Sequence, residues 1–134
     1  MSYLLDTDIC IYLMKGSPEQ VIERFRRERP NNLVISSITV AELSFGAEKS
    51  SKVERNLAGL RKFLQPFQVH TFGTDAARAY GKVRLALERS GTPTSPLDTL
   101  IAAHALSLEA TLVTDNIREF SRVPDLSIEN WLDV

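Results

Sequence analysis

Acidic residues are the side chains of this sequence that are best placed to do chemistry. Asp6 directly follows the apolar run 3–5, and Asp115 and Glu119 follow the run 112–114. Glu42 lies one to two turns into the helix predicted after the run 33–35, and Asp98 lies in the first turn of the helix before the run 112–114. Neither histidine nor cysteine accompanies them. A site made only of carboxylates offers oxygen ligands, which suit a hard cation such as Mg²⁺ or Mn²⁺ better than zinc.

Each acid also has a structural interpretation, because carboxylates stabilise helix N-termini. Segments 39–42, 95–98 and 116–119 match the capping box, in which an acidic side chain at the third helical position reaches back to a backbone N–H. Asp8 is predicted to be a simple N-cap. Asp6 has no such explanation if Asp8 caps the helix, so the hypothesis of a cation site depends most on Asp6.

The elements that must position these acids follow an alternating α/β pattern. Short apolar runs predict strands at 3–5, 33–35, around 69, at 111–113 and at 126–128. Helical spacing predicts helices at 9–15, 18–29, 39–48, 53–64 and 75–89, and another that opens at 95. Long crossovers between strands favour a mostly parallel sheet, in which residues after the strands meet at one edge.

Composition limits the function classes. The chain has 134 residues, 43% of them hydrophobic, which predicts one domain, 1–134, with one core. A net charge of −1 excludes a strongly basic nucleic-acid coat protein and a polybasic membrane anchor. The lone Cys10 and the lack of a secretory signal or a run of about 20 apolar residues predict a cytoplasmic protein without a membrane segment. Cys10 and His104 are expected to be core residues rather than ligands.

Five strings of residues occur in a characteristic order along nearly the whole chain. They are YLLDTDICIYL at 3–13, ISSITVAEL at 35–43 with GA at 46–47, GTP at 91–93, DTLIAAHA at 98–105 and LVTDNIREF at 112–120. In order and spacing they resemble the PIN-domain ribonucleases, and within these the VapC toxins of bacterial toxin–antitoxin pairs. The resemblance implies a PIN-like three-layer α/β/α domain with a central, mostly parallel sheet of four to five strands.

The same resemblance implies the roles of the acids. It places the catalytic residues at Asp6, Glu42, Asp98 and Glu119. Of these, Asp6, Asp98 and Glu119 are expected to bind Mg²⁺ or Mn²⁺, and Glu42 to complete the shell or to orient the attacking water. Residues expected to support them are Thr7, Asp8, Ser37, Thr114, Asp115 and Asn116.

Two positions depart from the family pattern. Asp8 stands where the family usually has asparagine, and the extra negative charge either strengthens metal attraction or raises the pKa of a neighbouring carboxyl. Asn116 stands where many PIN domains have aspartate, so Asp115 or Glu119 would supply the missing charge.

The resemblance also implies a substrate and a partner. Phosphodiester hydrolysis of structured RNA is expected, with the tRNA anticodon stem-loop as the leading target, products with a 5′-phosphate and a 3′-hydroxyl, and inhibited translation as the result. Arg118 is the expected phosphate contact. A cognate VapB-type antitoxin is expected to cover the acidic cleft and insert a basic side chain. A homodimer is expected, with DNA contacted only through the antitoxin.

Two other classes of protein stay open at this point. A haloacid-dehalogenase-type phosphatase would use Asp6 as nucleophile and Asp8 as acid/base. It fits less well, because that motif expects threonine or valine where this chain has Cys10. A non-catalytic binding module would use the acids only as helix caps.

Overall fold

A parallel β-sheet lies at the centre of the computed structural model, which describes residues 1–132. Within these residues its strands are β1 (Tyr3–Leu5), β2 (Leu33–Ser36), β3 (Gln68–His70), β4 (Thr111–Val113) and β5 (Ile128–Glu129). They lie in the order β3-β2-β1-β4-β5, and every neighbouring pair is parallel. The predicted α/β class and the four to five parallel strands are confirmed.

Helices cover both faces of the sheet. They are α1 (Thr7–Lys15), α2 (Glu19–Arg27), α3 (Ser37–Glu48), α4 (Val53–Leu64), α5 (Thr74–Arg89), α6 (Pro96–Ser107) and α7 (Ile117–Phe120). Helices α1 and α3 begin two residues earlier than predicted, because each strand passes almost directly into its helix. Within the described part of the chain, no helix is long and apolar enough to cross a membrane.

Alternate residues of the strands face two separate cores, as expected for a sheet buried on both sides. Leu4, Val34 and Leu112 pack with residues of α5 and α6. Their strand neighbours Leu5 and Ile35 face the opposite side, where residues of α1 and α2 contribute to the core. This arrangement makes the three-layer α/β/α sandwich that the resemblance implies.

The central position of β1 decides where the site lies. β1 pairs with β2 on one side and with β4 on the other, so the carboxyl ends of these three strands are adjacent. Helices α1 and α3 start at the ends of β1 and β2, and α7 follows β4 after a short loop. Side chains from residues far apart in sequence therefore meet at one edge, as is usual for open parallel sheets.

Candidate metal centre

Asp6 lies at the carboxyl end of β1 and is only 6% exposed. Its Oδ1 accepts a hydrogen bond from the Thr7 backbone N–H (2.8 Å), and its Oδ2 accepts one from the Thr114 hydroxyl (2.8 Å). Burial raises the pKa of Asp6 to about 7 despite these two bonds, and the nearby Asp98 and Asp8 carboxylates add to the rise. A buried carboxylate of this kind gains stability from a neighbouring positive charge.

Glu42 lies on α3 and is held by a hydroxyl of α1. The Thr7 hydroxyl donates to Glu42 Oε1 at 2.7 Å, across 35 residues of sequence. The Thr39 hydroxyl oxygen lies 3.3 Å from that of Thr7 and is fully buried. The two threonines thus form a polar contact between α1 and α3 that orients the carboxylate.

Asp98 and Glu119 come together from α6 and α7. Burial is the largest cause that raises the pKa of Asp98, followed by its hydrogen-bonding contact with Glu119 and by the charges of Glu119 and Glu42. Glu119 is oriented by the side-chain amide of Asn116, which donates to Glu119 Oε2 at 3.2 Å. Two carboxylates in such contact repel each other unless a proton or a cation lies between them.

Asp8 and Asp115 form a second acidic pair beside the first group. The Tyr12 hydroxyl donates to Asp115 Oδ2 at 2.6 Å, which fixes Asp115 against α1. Burial raises the pKa of Asp8, and the charge of Asp115 raises it further. Of the two candidates for the missing family charge, Glu119 is therefore the one in contact with Asp98, whereas Asp115 is directed at α1.

Two predicted helix caps are wrong. Helix α1 is capped by Asp6 rather than by Asp8, which lies in the first turn. Helix α3 is capped by Ser36, whose Oγ accepts from the Ile38 backbone N–H at 3.0 Å, while Thr39 lies inside the helix. Both errors have the same cause, because each helix starts earlier than its apolar periodicity indicates. Asp6 thus caps α1, the role predicted for Asp8, in addition to its place in the acidic group.

The remaining predicted supports differ in outcome. Ser95 caps α6 and accepts from the Asp98 backbone N–H (3.2 Å), as the capping box predicts. Asn116 makes no side-chain cap bond and holds Glu119 instead. Among residues 1–132, Ser37 makes no hydrogen bond to a carboxylate. Its Oγ instead accepts from the Phe72 backbone N–H (3.0 Å) and ties α3 to the segment after β3. The prediction that Ser37 orients an acid is therefore wrong.

A groove leads away from the acids between α1, α3 and α4. It has a volume of about 960 Å³, with Asp8 and Glu42 at one end and Lys15 and Lys49 farther along the same two helices. Its wall includes Phe45, which is 65% exposed. The exposed apolar side chains that line it are Met14, Phe45 and Leu97.

Some residues at the site were missed by the sequence reasoning. Tyr12 could have been found from its spacing, because it lies four residues after Asp8 and therefore on the same face of α1. The exposure of Phe45 gives no sequence signal, because the apolar residues of α3 do not fall on one face of the helix. Arg118, the predicted RNA contact, is exposed on α7 and joins none of the ion pairs found within residues 1–132.

The donor set of the acidic group fits a hard divalent cation. Within the described residues, no three His, Cys, Asp or Glu side chains are already arranged to hold a metal ion. The chemistry of the group nevertheless favours one, because Asp6, Glu42, Asp98 and Glu119 offer only oxygen ligands. Burial is the main cause that raises the pKa of both Asp6 and Asp98, and neighbouring carboxylates raise both further. A divalent cation would offset this repulsion.

Comparison with known proteins agrees with this fold and site. The family model for the PIN domain matches residues 3–126. The chain is 44% identical over 131 residues to the tRNA(fMet)-specific endonuclease VapC of Salmonella typhimurium, with 98% of each chain covered. It is 42% identical over 132 residues to Ribonuclease VapC2 of Rickettsia felis, again with 98% of each covered.

Solved structures give the same result. The crystal structure of DNA-bound VapBC from Salmonella typhimurium matches with a TM-score of 0.92 at 44% identity, covering 98% of both chains. VapBC-1 from nontypeable Haemophilus influenzae matches with a TM-score of 0.91 at 40% identity, covering 98% of this chain and 99% of that one. The chain therefore belongs to the PIN-domain family and, within it, to the VapC ribonucleases. This membership confirms the ribonuclease class over the phosphatase and the non-catalytic binding module.

Proposed function

We propose that this protein is a metal-dependent endoribonuclease toxin that cuts structured RNA, with the anticodon stem-loop of tRNA as its leading substrate, and so inhibits translation. The observation that carries this proposal is the buried Asp6 carboxylate beside Asp98, with its pKa raised to about 7. A carboxyl group whose pKa is raised by burial beside other acids is typical of a functional site, and a divalent cation there would offset its charge. The similarity to an enzyme named tRNA(fMet)-specific endonuclease supports tRNA as the substrate class.

In this proposal the side chains have distinct tasks. Asp6, Asp98 and Glu119 would hold Mg²⁺ or Mn²⁺, and the Thr114 hydroxyl fixes the Asp6 carboxylate by donating to its Oδ2. The bound ion would neutralise charge on the phosphodiester and lower the pKa of a water molecule. Glu42 uses Oε1 to accept from Thr7, which leaves Oε2 to accept a hydrogen bond from the attacking water.

Binding of a polyanion by a chain of net charge −1 needs local positive charge. Arg118 is exposed on α7, one residue before Glu119, and is the proposed contact to an RNA phosphate. Its replacement by alanine is expected to weaken RNA binding and to lower the dependence of that binding on salt, while metal binding is kept.

The test is a cleavage assay of the purified protein on total bacterial tRNA with Mg²⁺, Mn²⁺ or a chelator. Asp98→Asn removes one carboxylate at the site, and Asp75→Asn, an exposed acid at the start of α5, is the matched control. We expect a discrete cut that needs the metal, is lost in Asp98→Asn and is kept in Asp75→Asn. Failure of the folded, metal-loaded wild type to cut either tRNA or ribosomal RNA would overturn the proposal.

We also propose that a cognate VapB-type antitoxin covers the acidic group by lying in the groove between α1, α3 and α4. Three of the similar solved structures are VapBC complexes, and two of these contain DNA. The exposed Met14 and Phe45 side chains form an apolar surface that the antitoxin could pack against. The acids at one end of the groove could pair with a lysine or arginine of the antitoxin. DNA contact would then come from the antitoxin, and the toxin itself is proposed to be a homodimer.

Phe45→Glu tests the groove, with Leu85→Glu as a matched control, because Leu85 is also exposed but lies on α5 outside the groove. Calorimetry with the cognate antitoxin is expected to show at least a tenfold weaker affinity for Phe45→Glu and an unchanged one for Leu85→Glu. Equal affinities for wild type and Phe45→Glu would place the antitoxin elsewhere. Light scattering of the isolated chain separates the proposed dimer from a monomer.

A further inference from the structure

A buried histidine outside the acidic group connects two of the helices that carry its members. His104 lies on α6, six residues after Asp98, and is only 2% exposed. Its Nδ1 lies 2.8 Å from the Oγ of Ser36, which is fully buried. Ser36 is the N-cap of α3, the helix that carries Glu42.

The ring of His104 is held in one orientation by its surroundings. Phe72 packs against it edge to face, with ring centroids 5.4 Å apart and an angle of 74° between the planes. Burial lowers the pKa of His104, and the nearby His70 lowers it further, so the neutral form of the ring is favoured. In a neutral imidazole Nδ1 is either a donor or an acceptor, depending on the tautomer, and in both roles it can pair with the Ser36 hydroxyl.

Ser36 passes this constraint to the first turn of α3. Its Oγ also accepts from the Ile38 backbone N–H at 3.0 Å, so one oxygen bonds both to α6 and to the start of α3. The adjacent Ser37 accepts from the Phe72 backbone N–H, which ties the same turn to the segment after β3. The start of α3 is therefore fixed from two directions within the core.

The position of this turn matters for the acids because α3 is rigid over the short distance to Glu42. Glu42 lies six residues after Ser36, less than two helical turns away. The 2.7 Å contact between Glu42 and Thr7 depends on that placement, and the charge of Glu42 contributes to the raised pKa of Asp98. A rotation of α3 against α6 would change the spacing between the two carboxylates.

We propose that His104 is a positioning residue, which acts through Ser36 to fix the first turn of α3 and so holds Glu42 at its distance from Asp98. The consequence for catalysis rests on the proposed metal-dependent function. The mechanical part, that His104 immobilises the start of α3, stands on the hydrogen bonds alone.

The test compares three variants of the full chain. His104→Phe keeps a ring of similar size but removes the hydrogen bond, and His104→Asn returns a polar atom at the same number of bonds from the backbone as Nδ1. Val83→Ala, a core truncation on α5, is the control for lost stability without a lost polar contact. The readouts are amide hydrogen exchange at Ile38, Mn²⁺ affinity by calorimetry, and kcat and KM for tRNA cleavage.

We expect His104→Phe to speed amide hydrogen exchange at Ile38 at least tenfold. Mn²⁺ binding should weaken about tenfold, because the variant loses an indirect support of the metal ligands. The kcat for tRNA cleavage should fall, with KM within twofold of the wild-type value. His104→Asn is expected to restore each value to within about threefold, and Val83→Ala to leave Mn²⁺ affinity within twofold. The proposal is overturned if His104→Phe matches the wild type or Val83→Ala in exchange and in affinity.

Failure of the proposed function has a different signature. A folded wild type that neither binds Mn²⁺ nor cuts RNA would refute metal-dependent cleavage. The exchange rates would then decide the role of His104 on their own, since faster exchange confined to the first turn of α3 supports it and unchanged exchange refutes it.

Discussion

Replacement of Asp6 by asparagine is expected to stabilise the protein at pH 8 when divalent cations are removed. The asparagine side chain can still accept from the Thr7 backbone N–H, and the Thr114 hydroxyl can rotate to accept from the new amide. The substitution therefore keeps the two contacts of the wild-type side chain while removing its charge. What it eliminates is the cost of ionising a carboxyl group that is almost fully buried.

The size of the effect follows from the pKa. Folding raises the pKa of Asp6 from its ordinary value of 3.8 to about 7, and at about 1.4 kcal/mol per pKa unit the full cost of the charge is about 4 kcal/mol. The folded state binds more protons than the unfolded state between these two values, so the free energy of unfolding falls as pH rises through this range. The cost is absent well below pH 4 and complete above pH 7.

Urea unfolding at pH 5 and pH 8 in a chelator measures this difference, with the fluorescence of the buried Trp131 as the signal. The stability advantage of Asp6→Asn over the wild type is expected to grow by about 2.5 kcal/mol between the two pH values. Asp75→Asn, at an exposed position, is expected to show no such change. Added Mg²⁺ or Mn²⁺ should stabilise the wild type much more than Asp6→Asn. If the free energies of unfolding of the two proteins change in parallel with pH, the burial of the Asp6 charge does not destabilise the protein.

Three further predictions concern contacts around the site and the core. Thr114→Val removes the hydroxyl that lowers the pKa of Asp6, so Mn²⁺ affinity measured by calorimetry should fall about 10- to 100-fold, and an unchanged affinity would contradict this support. The hydrogen bond to Asp115 raises the pKa of Tyr12 to about 12, so Tyr12 should stay protonated up to pH 10.5. Tyr12→Phe should therefore show the same tyrosinate absorbance as the wild type over this range. A smaller absorbance in the variant would show that Tyr12 titrates normally. Arg24 lies over the rings of Tyr3 and Trp131, at 5.6 and 5.1 Å from their centroids, and also pairs with Glu28 and Glu129. Arg24→Met removes both kinds of contact and should lower the free energy of unfolding by about 2 kcal/mol in urea titrations. A neutral effect would mean that these contacts together contribute nothing.

The fold was largely predictable from sequence because each strand contains a short apolar stretch and the strands are separated by helical segments. Helix starts were harder, as α1 and α3 show. A helix that follows its strand without a loop leaves no polar spacer to mark the boundary, so Asp6 and Ser36 were not identified as caps. In both cases the true cap lies two or three residues before the predicted one.

The acids of the site were predictable as candidates from their positions near the sheet edge, but their hydrogen-bond partners were not. The bond between Thr114 and Asp6 spans 108 residues, and that between Tyr12 and Asp115 spans 103. Such contacts depend on which strands are neighbours in the sheet, and spacing along the chain carries no information about strand order. Ser37 shows the reverse case, since a hydroxyl beside a strand end was expected to orient an acid and instead bonds to the backbone of Phe72.

The central place of β1 in the sheet also has a consequence for when, during synthesis of the chain, the acidic group can assemble. Asp6 is synthesised among the first residues, yet the hydroxyl that orients it belongs to Thr114 and its acidic companion Glu119 comes later still. β1 can pair with β2 early, but its other edge stays open until β4 has been made and docked. Formation of such distant pairings is a late event in folding. A nascent chain therefore carries Asp6 through most of its synthesis without Thr114 and Glu119 beside it, so the acidic group of this ribonuclease assembles only when the chain is nearly complete.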